Sequence, residues 1–186
     1  KELFKKRWLA FDSFSKKNFI SSSVITDRNT LIQKSKEYSA VILGSDQVLH
    51  PINLGTHFYD LSWVDDSIPK FGFSSSFGVS DIPFIQRKKT AAYLKRFKAI
   101  STREKTGSII IESLIHKKCQ NTIDPTLLYT AEQWTNMLNL NEIDNEYEQY
   151  IFCYFLGKSE KERSFARELK KKTGLKIVAL VHLDEY

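Results

Sequence analysis

Residues 38–50 read Y-S-A-V-I-L-G-S-D-Q-V-L-H, and this stretch decides the fold prediction. Its apolar run at 40–43 is too short for a typical helix and stops at Gly44, which predicts a buried strand of a parallel sheet. In open α/β sheets, ligands bind at the carboxyl ends of the strands. The polar residues that follow this strand directly are Ser45, Asp46 and Gln47.

The same arrangement, an apolar run closed by polar residues, recurs along the chain. It predicts further strands at 70–74, 99–102, 119–123, 150–156 and 176–181. Helical spacing predicts helices at 1–19, 30–38, 81–97, 106–116, 131–140 and 159–173, whereas 50–66 reads as a loop with little regular structure. The alternation predicts an α/β fold: a Rossmann-like parallel sheet with flanking helices. On the helix at 106–116, the predicted core side consists of Ile109, Ile110, Leu114 and Ile115.

The segment 141–149 is acidic and polar and has no periodicity, which predicts a linker. We therefore expect residues 1–140 to form one Rossmann-like domain and residues 150–186 to begin a second. Residue 1 is Lys, and the last residues still form a predicted strand with its following loop. We accordingly expect the chain to be an internal piece of a longer protein.

Composition suits one soluble domain, or one and part of another, because 41% of the 186 residues are hydrophobic and 27% are charged. The net charge of +6 is concentrated at 87–118, where basic residues alternate with apolar ones at helical spacing. This spacing favours the solvated faces of amphipathic helices over a nucleic-acid surface, so no nucleic-acid partner is expected. No apolar stretch approaches the roughly 20 residues of a transmembrane segment.

Cys119 and Cys153 lie far apart and lack metal-ligand spacing. Both fall in predicted strands, so we interpret them as buried free thiols in a reducing, cytoplasmic compartment, with a disulfide as the minor alternative. No set of His, Cys, Asp and Glu residues has metal-binding spacing, and neither a Walker nor a dinucleotide motif occurs. No cofactor is therefore expected.

Polar residues past separate parallel strands are expected to share one edge of the sheet. Asp46 there is suited to accept a proton or orient a sugar hydroxyl, or alternatively to cap the next turn. Arg103 has a planar fork that matches a carboxylate or phosphate, although an ion pair with Glu104 or another acid explains it equally well. The serines at 74–76 offer hydroxyls and amides to an anion, and they are also ordinary turn formers. We predict Asp46 and Arg103 as catalytic residues, and as substrate-binding residues Ser45, Gln47, Ser74, Ser75, Ser76 and Glu104.

Several short motifs in a fixed order resemble the polysaccharide pyruvyl transferase family. They are V-I-L-G-S-D-Q-V at 41–48, K-F-G-F-S-S-S-F-G at 70–78, A-I-S-T-R-E at 99–104 and D-P-T-L-L at 124–128, followed by Trp134. The resemblance extends over roughly residues 11–156. Leu49 departs from it, because the family usually has Trp at this position.

The resemblance implies a two-domain architecture similar to glycosyltransferase B. Residues 1–140 would then lack the first strand of the N-terminal domain, and the basic active-site residues of the second domain would lie beyond Tyr186, so this piece is not expected to catalyse alone. It implies transfer of a pyruvyl group from phosphoenolpyruvate to sugar hydroxyls of a cell-surface polysaccharide, giving a pyruvate ketal. In that reaction Asp46 would be the acid-base or sugar-orienting carboxylate, Arg103 would hold the donor's carboxylate or phosphate, and the serines would line the cleft. The alternatives are a nucleotide-sugar glycosyltransferase of the same architecture and a non-catalytic module that binds anions or glycans.

Overall fold

A computed structural model of the chain describes residues 2–20, 24–139 and 149–180. The chain divides into two compact units, one ending at Leu128 and the other beginning at Tyr129. Apart from position 149, the predicted linker at 141–149 lies outside the described residues. The assignment of the two parts to Rossmann-like domains stays a prediction.

The first unit begins with two helices and then alternates strands with helices; the sequence predicts this order except for the helix between the first two strands. Its elements are α1 (Glu2–Asn18), α2 (Arg28–Ser35), β1 (Val41–Leu43), α3 (Pro51–Gly55), β2 (Lys70–Ser75), α4 (Phe84–Leu94), β3 (Ala99–Thr102), α5 (Lys105–Ile115), β4 (Gln120–Asn121) and a short 3₁₀ helix (Pro125–Leu127). The second unit contains α6 (Ala131–Leu138), β5 (Tyr150–Tyr154), α7 (Glu160–Thr173) and β6 (Lys176–Leu180).

Strands β1 to β4 form one sheet in the order β1-β2-β3-β4, and every neighbouring pair is parallel. The predicted parallel sheet with flanking helices is therefore confirmed. Because all four strands run in one direction, their carboxyl ends meet at one edge. In the second unit, β5 and β6 form a separate parallel pair.

The core of the first unit lies between this sheet and its helices. Leu43 on β1, Phe77 after β2, Leu94 on α4 and Ile111 on α5 are all buried in it. Such burial contributes roughly 1.5–3 kcal/mol for each large side chain and holds the helices on the sheet.

The predicted core side of α5 is wrong at Ile109, which is 57% exposed, while Ile111 is fully buried. The reason is a contact at the start of the helix. The hydroxyl of Ser108 lies 2.9 Å from that of Thr102 on β3, and a Cβ at position 107 would meet Thr102 at 3.0 Å. These small residues place the Gly107–Ser108 side of the helix against the sheet, and Ile109 faces outward.

The predicted irregular loop at 50–66 is wrong for 51–55, which forms α3. His50 caps this helix, because its Nδ1 accepts a hydrogen bond of 3.2 Å from the Ile52 amide, and Pro at the first helical position needs no donor. Leu61 and Val64 in the same segment are buried. The segment's Pro, Asn and Gly residues indicated a loop, whereas its apolar residues anchor it to the core.

The predicted free thiols are confirmed, since Cys119 and Cys153 are both buried and unpaired by a disulfide. Burial raises the pKa of the Cys119 thiol. Across the described residues, no helix combines the length and the apolar character that a membrane crossing requires.

Candidate functional site

Asp46 lies at the carboxyl edge of the sheet, three residues after β1. Its φ of 68° is left-handed, a conformation that Asp tolerates better than most residues. Its carbonyl accepts a hydrogen bond of 2.8 Å from the Ser76 amide, which ties the backbone to the end of β2. The side chain is 81% exposed, so its carboxylate stands in solvent at this edge.

Arg103 is the first residue after β3, and its guanidinium joins the ends of three strand segments. Its Nη2 donates to Asp46 Oδ1 over 3.0 Å, and its Nη1 donates to Asp124 Oδ2 over 2.7 Å. The structure thus brings Asp46 and Arg103 together at one edge. Arg103 also forms the ion pairs that the alternative interpretation foresaw, with acids other than Glu104.

The hydrogen bonds in this cluster stabilise the charged forms of Arg103 and Asp124. The hydrogen bond to Asp124 raises the pKa of Arg103 above its ordinary value; partial burial opposes this effect, and Asp46 adds to it. Hydrogen bonds from Thr126 and from Arg103 hold the pKa of Asp124 below its ordinary value. Arg103 and Asp124 are therefore both ionised at neutral pH.

Asp124 follows the predicted strand at 119–123 and is not among the predicted catalytic or substrate-binding residues. Its Oδ1 does cap the following turn, accepting from the amide of Thr126 over 3.0 Å and from the hydroxyl of Thr126 over 2.8 Å. Its other oxygen binds Arg103. The proximity to Arg103 could have been expected from the sequence, because Asp124 follows a predicted parallel strand and therefore lies at the same edge of the sheet as Arg103.

The serine trio lies at the end of β2 and is buried. The Ser74 hydroxyl donates to the Ile123 carbonyl over 2.7 Å, and the Ser75 hydroxyl donates to the Gly44 carbonyl over 3.3 Å. The Ser76 hydroxyl accepts from the Gly78 amide over 3.2 Å. The first two bonds tie the end of β2 to the segments that follow β4 and β1, and the third is local to the loop after β2. The geometry thus gives the hydroxyls structural partners, and their binding of substrate stays a prediction.

The other predicted binding residues surround the same edge. Glu104 is half-buried, and its Oε1 accepts from the Phe77 amide over 3.0 Å. Gln47 packs against Gly78, where a Cβ would meet the Gln47 side chain at 2.5 Å. Because Gly78 also has a φ of 63°, this close approach requires glycine. Ser45 is half-buried beside them.

A separate apolar groove of about 620 Å³ lies along the sheet and is lined by side chains that include Ile42, Phe71 and Phe73. None of the predicted site residues lines it. Within the described parts of the chain, no group of three or more His, Cys, Asp or Glu residues is arranged to hold a metal ion. The charged edge around Arg103 is therefore the site that we consider for function.

The chain has the class of fold, an α/β fold with a parallel sheet, in which ligands bind at the carboxyl edge, and here that edge carries an arginine between two carboxylates. The sequence model of the polysaccharide pyruvyl transferase family matches residues 2–186, and the chain belongs to this family. The resemblance of the ordered motifs is thereby confirmed. Comparison with curated proteins and with solved structures finds no significant match.

Proposed function

We propose that the protein transfers a pyruvyl group from phosphoenolpyruvate to two hydroxyls of a glycan, forming a pyruvate ketal. Membership of the family supports this reaction. The observation that carries the proposal is the Arg103–Asp46 pair, which sets a cation for the donor's anionic group beside an exposed carboxylate. Anion recognition and proton handling are the two tasks that the reaction requires.

The proposed chemistry balances without a metal or a redox step. Protonation of the donor's methylene carbon creates positive charge on the neighbouring carbon, which a sugar hydroxyl attacks. Phosphate then leaves, and a second hydroxyl closes the ketal. Of the two hydroxyl protons, one is accounted for in the new methyl group and the other in the released phosphate.

In this proposal the two residues have different roles. Arg103 holds the carboxylate or phosphate of the donor, because its guanidinium remains charged throughout the accessible pH range. Asp46 orients an attacking sugar hydroxyl or accepts its proton. We further propose that the two units belong to the two halves of a glycosyltransferase-B-like architecture, and that the protein acts in the cytoplasm, which suits its free thiols.

The test uses the full-length protein with Asp46→Asn and Arg103→Ala made separately. Phosphate release from phosphoenolpyruvate is followed in the presence of a glycan acceptor. Asp46→Asn is expected to lower turnover by about 10²- to 10⁴-fold, the usual effect of removing a positioned acid-base group. Arg103→Ala is expected to lower it by about 10²- to 10³-fold, the usual effect of removing one preorganised electrostatic donor. Asp66→Asn is the matched control, because Asp66 is also an exposed carboxylate paired with an arginine, Arg96.

Unchanged turnover in both variants would overturn the roles assigned to Asp46 and Arg103. A thermal-shift titration tests the donor itself. Stabilisation by phosphoenolpyruvate supports the proposal, whereas stabilisation by nucleotide sugars alone would favour a glycosyltransferase.

A further inference from the structure

The two carboxylates that contact Arg103 are held very differently. The Asp124 side chain is only 25% exposed, and Thr126 fixes its second oxygen through an amide and a hydroxyl. The Asp46 side chain is 81% exposed. Within the described residues, Arg103 is the partner that holds the Asp46 carboxylate. The contact with Asp124 therefore fixes one side of the guanidinium, whereas the contact with Asp46 on the other side can be replaced by another anion.

The strength of the two contacts follows from this difference. An exposed ion pair contributes little free energy, because water screens the attraction and because ordering the two side chains costs entropy. A charge-assisted hydrogen bond to a carboxylate that is already immobilised is stronger. An anion that arrives from solvent therefore displaces Asp46 more readily than Asp124, and Arg103 keeps its orientation during the exchange.

We propose that Asp124 is a positioning residue for Arg103, and that Asp46 occupies the side of the guanidinium that the anionic donor takes on binding. When the donor binds, one of its anionic oxygens replaces Asp46 Oδ1 as the acceptor of the hydrogen bond from Arg103 Nη2. The exchange releases the Asp46 carboxylate beside the newly bound donor, where the acceptor hydroxyl is needed. This inference rests on the proposed function for the identity of the donor, but not for the exchange itself.

The test measures the affinity of the full-length protein for inorganic phosphate and for phosphoenolpyruvate by titration calorimetry. Asp46→Asn removes the competing carboxylate and is expected to tighten binding by up to about fivefold, the equivalent of an exposed ion pair. Asp124→Asn removes the anchor and is expected to weaken binding by about tenfold, the equivalent of one hydrogen bond to a charged group.

The two variants are expected to change the affinity for the anion in opposite directions, and this distinguishes the proposal from an effect of net charge. Both variants remove one negative charge near the bound anion, so an effect of net charge alone would tighten binding in both. Tighter or unchanged binding by Asp124→Asn overturns the proposal, as does weaker binding by Asp46→Asn. Wild-type protein that binds neither ligand overturns it as well. The control Asp66→Asn is expected to bind like the wild type.

Because Asp124 also caps a turn, a second variant separates capping from positioning. Thr126→Val removes the hydroxyl that donates to Asp124, whereas the amide of residue 126 still donates to Asp124 Oδ1 and the Asp124–Arg103 contact stays in place. It is expected to retain phosphate affinity; a loss equal to that of Asp124→Asn would show that capping is the relevant role and would overturn the positioning role. If Asp124→Asn does not fold, Arg103→Lys replaces it, and unaltered affinity in that variant overturns the proposal.

The two proposals fail in distinguishable ways. Phosphate binding with the expected shifts but without glycan-dependent release of phosphate from phosphoenolpyruvate contradicts pyruvyl transfer and leaves the exchange intact. Turnover of phosphoenolpyruvate without opposite changes of affinity in Asp46→Asn and Asp124→Asn contradicts the proposed exchange of Asp46 for the donor, and it leaves the proposed reaction intact.

Discussion

Asp46 and Arg103 are 57 positions apart in the chain, yet a hydrogen bond of 3.0 Å joins their side chains. The parallel sheet is the cause, because it collects the ends of β1 and β3 at one edge. A guanidinium has donors on two sides and can contact Asp46 and Asp124 together.

The first prediction concerns the shape of this side chain. Arg103→Lys keeps the positive charge but lacks the planar fork, so one ammonium group cannot hold both carboxylates in the same geometry. We expect phosphate release from phosphoenolpyruvate to fall by about 10- to 100-fold, the equivalent of one or two units of 1.4 kcal/mol in transition-state binding. Arg87→Lys, in the exposed pair with Asp81, is the control, and wild-type turnover in Arg103→Lys would contradict the prediction.

The second prediction separates structure from binding at Ser74. Ser74→Ala removes a buried hydroxyl that bonds the Ile123 carbonyl and lies 2.9 Å from the Thr122 hydroxyl. Leaving such partners unsatisfied is expected to lower the free energy of unfolding by about 1–3 kcal/mol. Urea denaturation measures this, with the exposed Ser80→Ala as control. Wild-type stability together with lost donor binding would instead assign the hydroxyl to the substrate.

The third prediction concerns the close approach of β2 to β3. Gly72 is buried, and a Cβ there would meet Ile100 Cγ1 at 2.5 Å. Gly72→Ala therefore forces a shift of Ile100 or of the backbone, which is expected to lower the free energy of unfolding by about 1–3 kcal/mol. Gly55→Ala is the matched control, since a Cβ added at Gly55 would meet nothing within 4 Å. Equal thermal stability of the two variants would refute the prediction.

The fourth prediction is a pH dependence at Asp60, whose side chain is fully buried. Burial alone disfavours its carboxylate, but hydrogen bonds from Ser62 and His57 outweigh burial and hold the pKa of Asp60 below its ordinary value. The group therefore stabilises the fold fully above its unfolded pKa of about 3.9, and this stabilisation is lost as the pH falls through the lower folded pKa.

Asp60→Asn tests this dependence. It is expected to lower the free energy of unfolding at pH 7 by about 1.5–3 kcal/mol, because hydrogen bonds to a charged group are lost. The difference from the wild type is expected to narrow below pH of about 4, where the unfolded wild type takes up a proton at Asp60, and to narrow further as the pH falls through the lower folded pKa. Asp81→Asn, at a carboxylate that is 71% exposed, controls for the loss of charge. A difference independent of pH would rule out the carboxylate as the cause.

The strands and their order of appearance were predictable from sequence because they depend on local patterns. The run 40–43 before Gly44 and the run before Arg103 both identify strand ends without reference to the rest of the chain. Which of these ends meet is also inferable, since parallel strands bring their carboxyl ends to one edge. The proximity of Asp46 and Arg103 follows from these two points.

Contacts that depend on register and burial were not predictable. The position of Asp124 past a predicted strand places it at the same edge as Arg103, but its hydrogen bond to Arg103 depends on the register in which Gln120 of β4 pairs with Ser101 of β3, which nothing local to Asp124 encodes. Ser74 bonds Ile123, 49 positions away. A serine that lines a pocket and a serine that joins two strands look alike in a single sequence. What distinguishes them is whether residues distant in the chain bury the hydroxyl, and this is not visible locally.

The order β1-β2-β3-β4 is also the order in which the strands are synthesised. Each of the four described strands can add beside the one made just before it, so none of these four has to insert between two that are already paired. Since chains generally fold from the N-terminal part onward during translation, this sheet is suited to growth at the ribosome by successive additions to one side. The entropy of loop closure stays modest at each addition, because only one crossover is closed at a time.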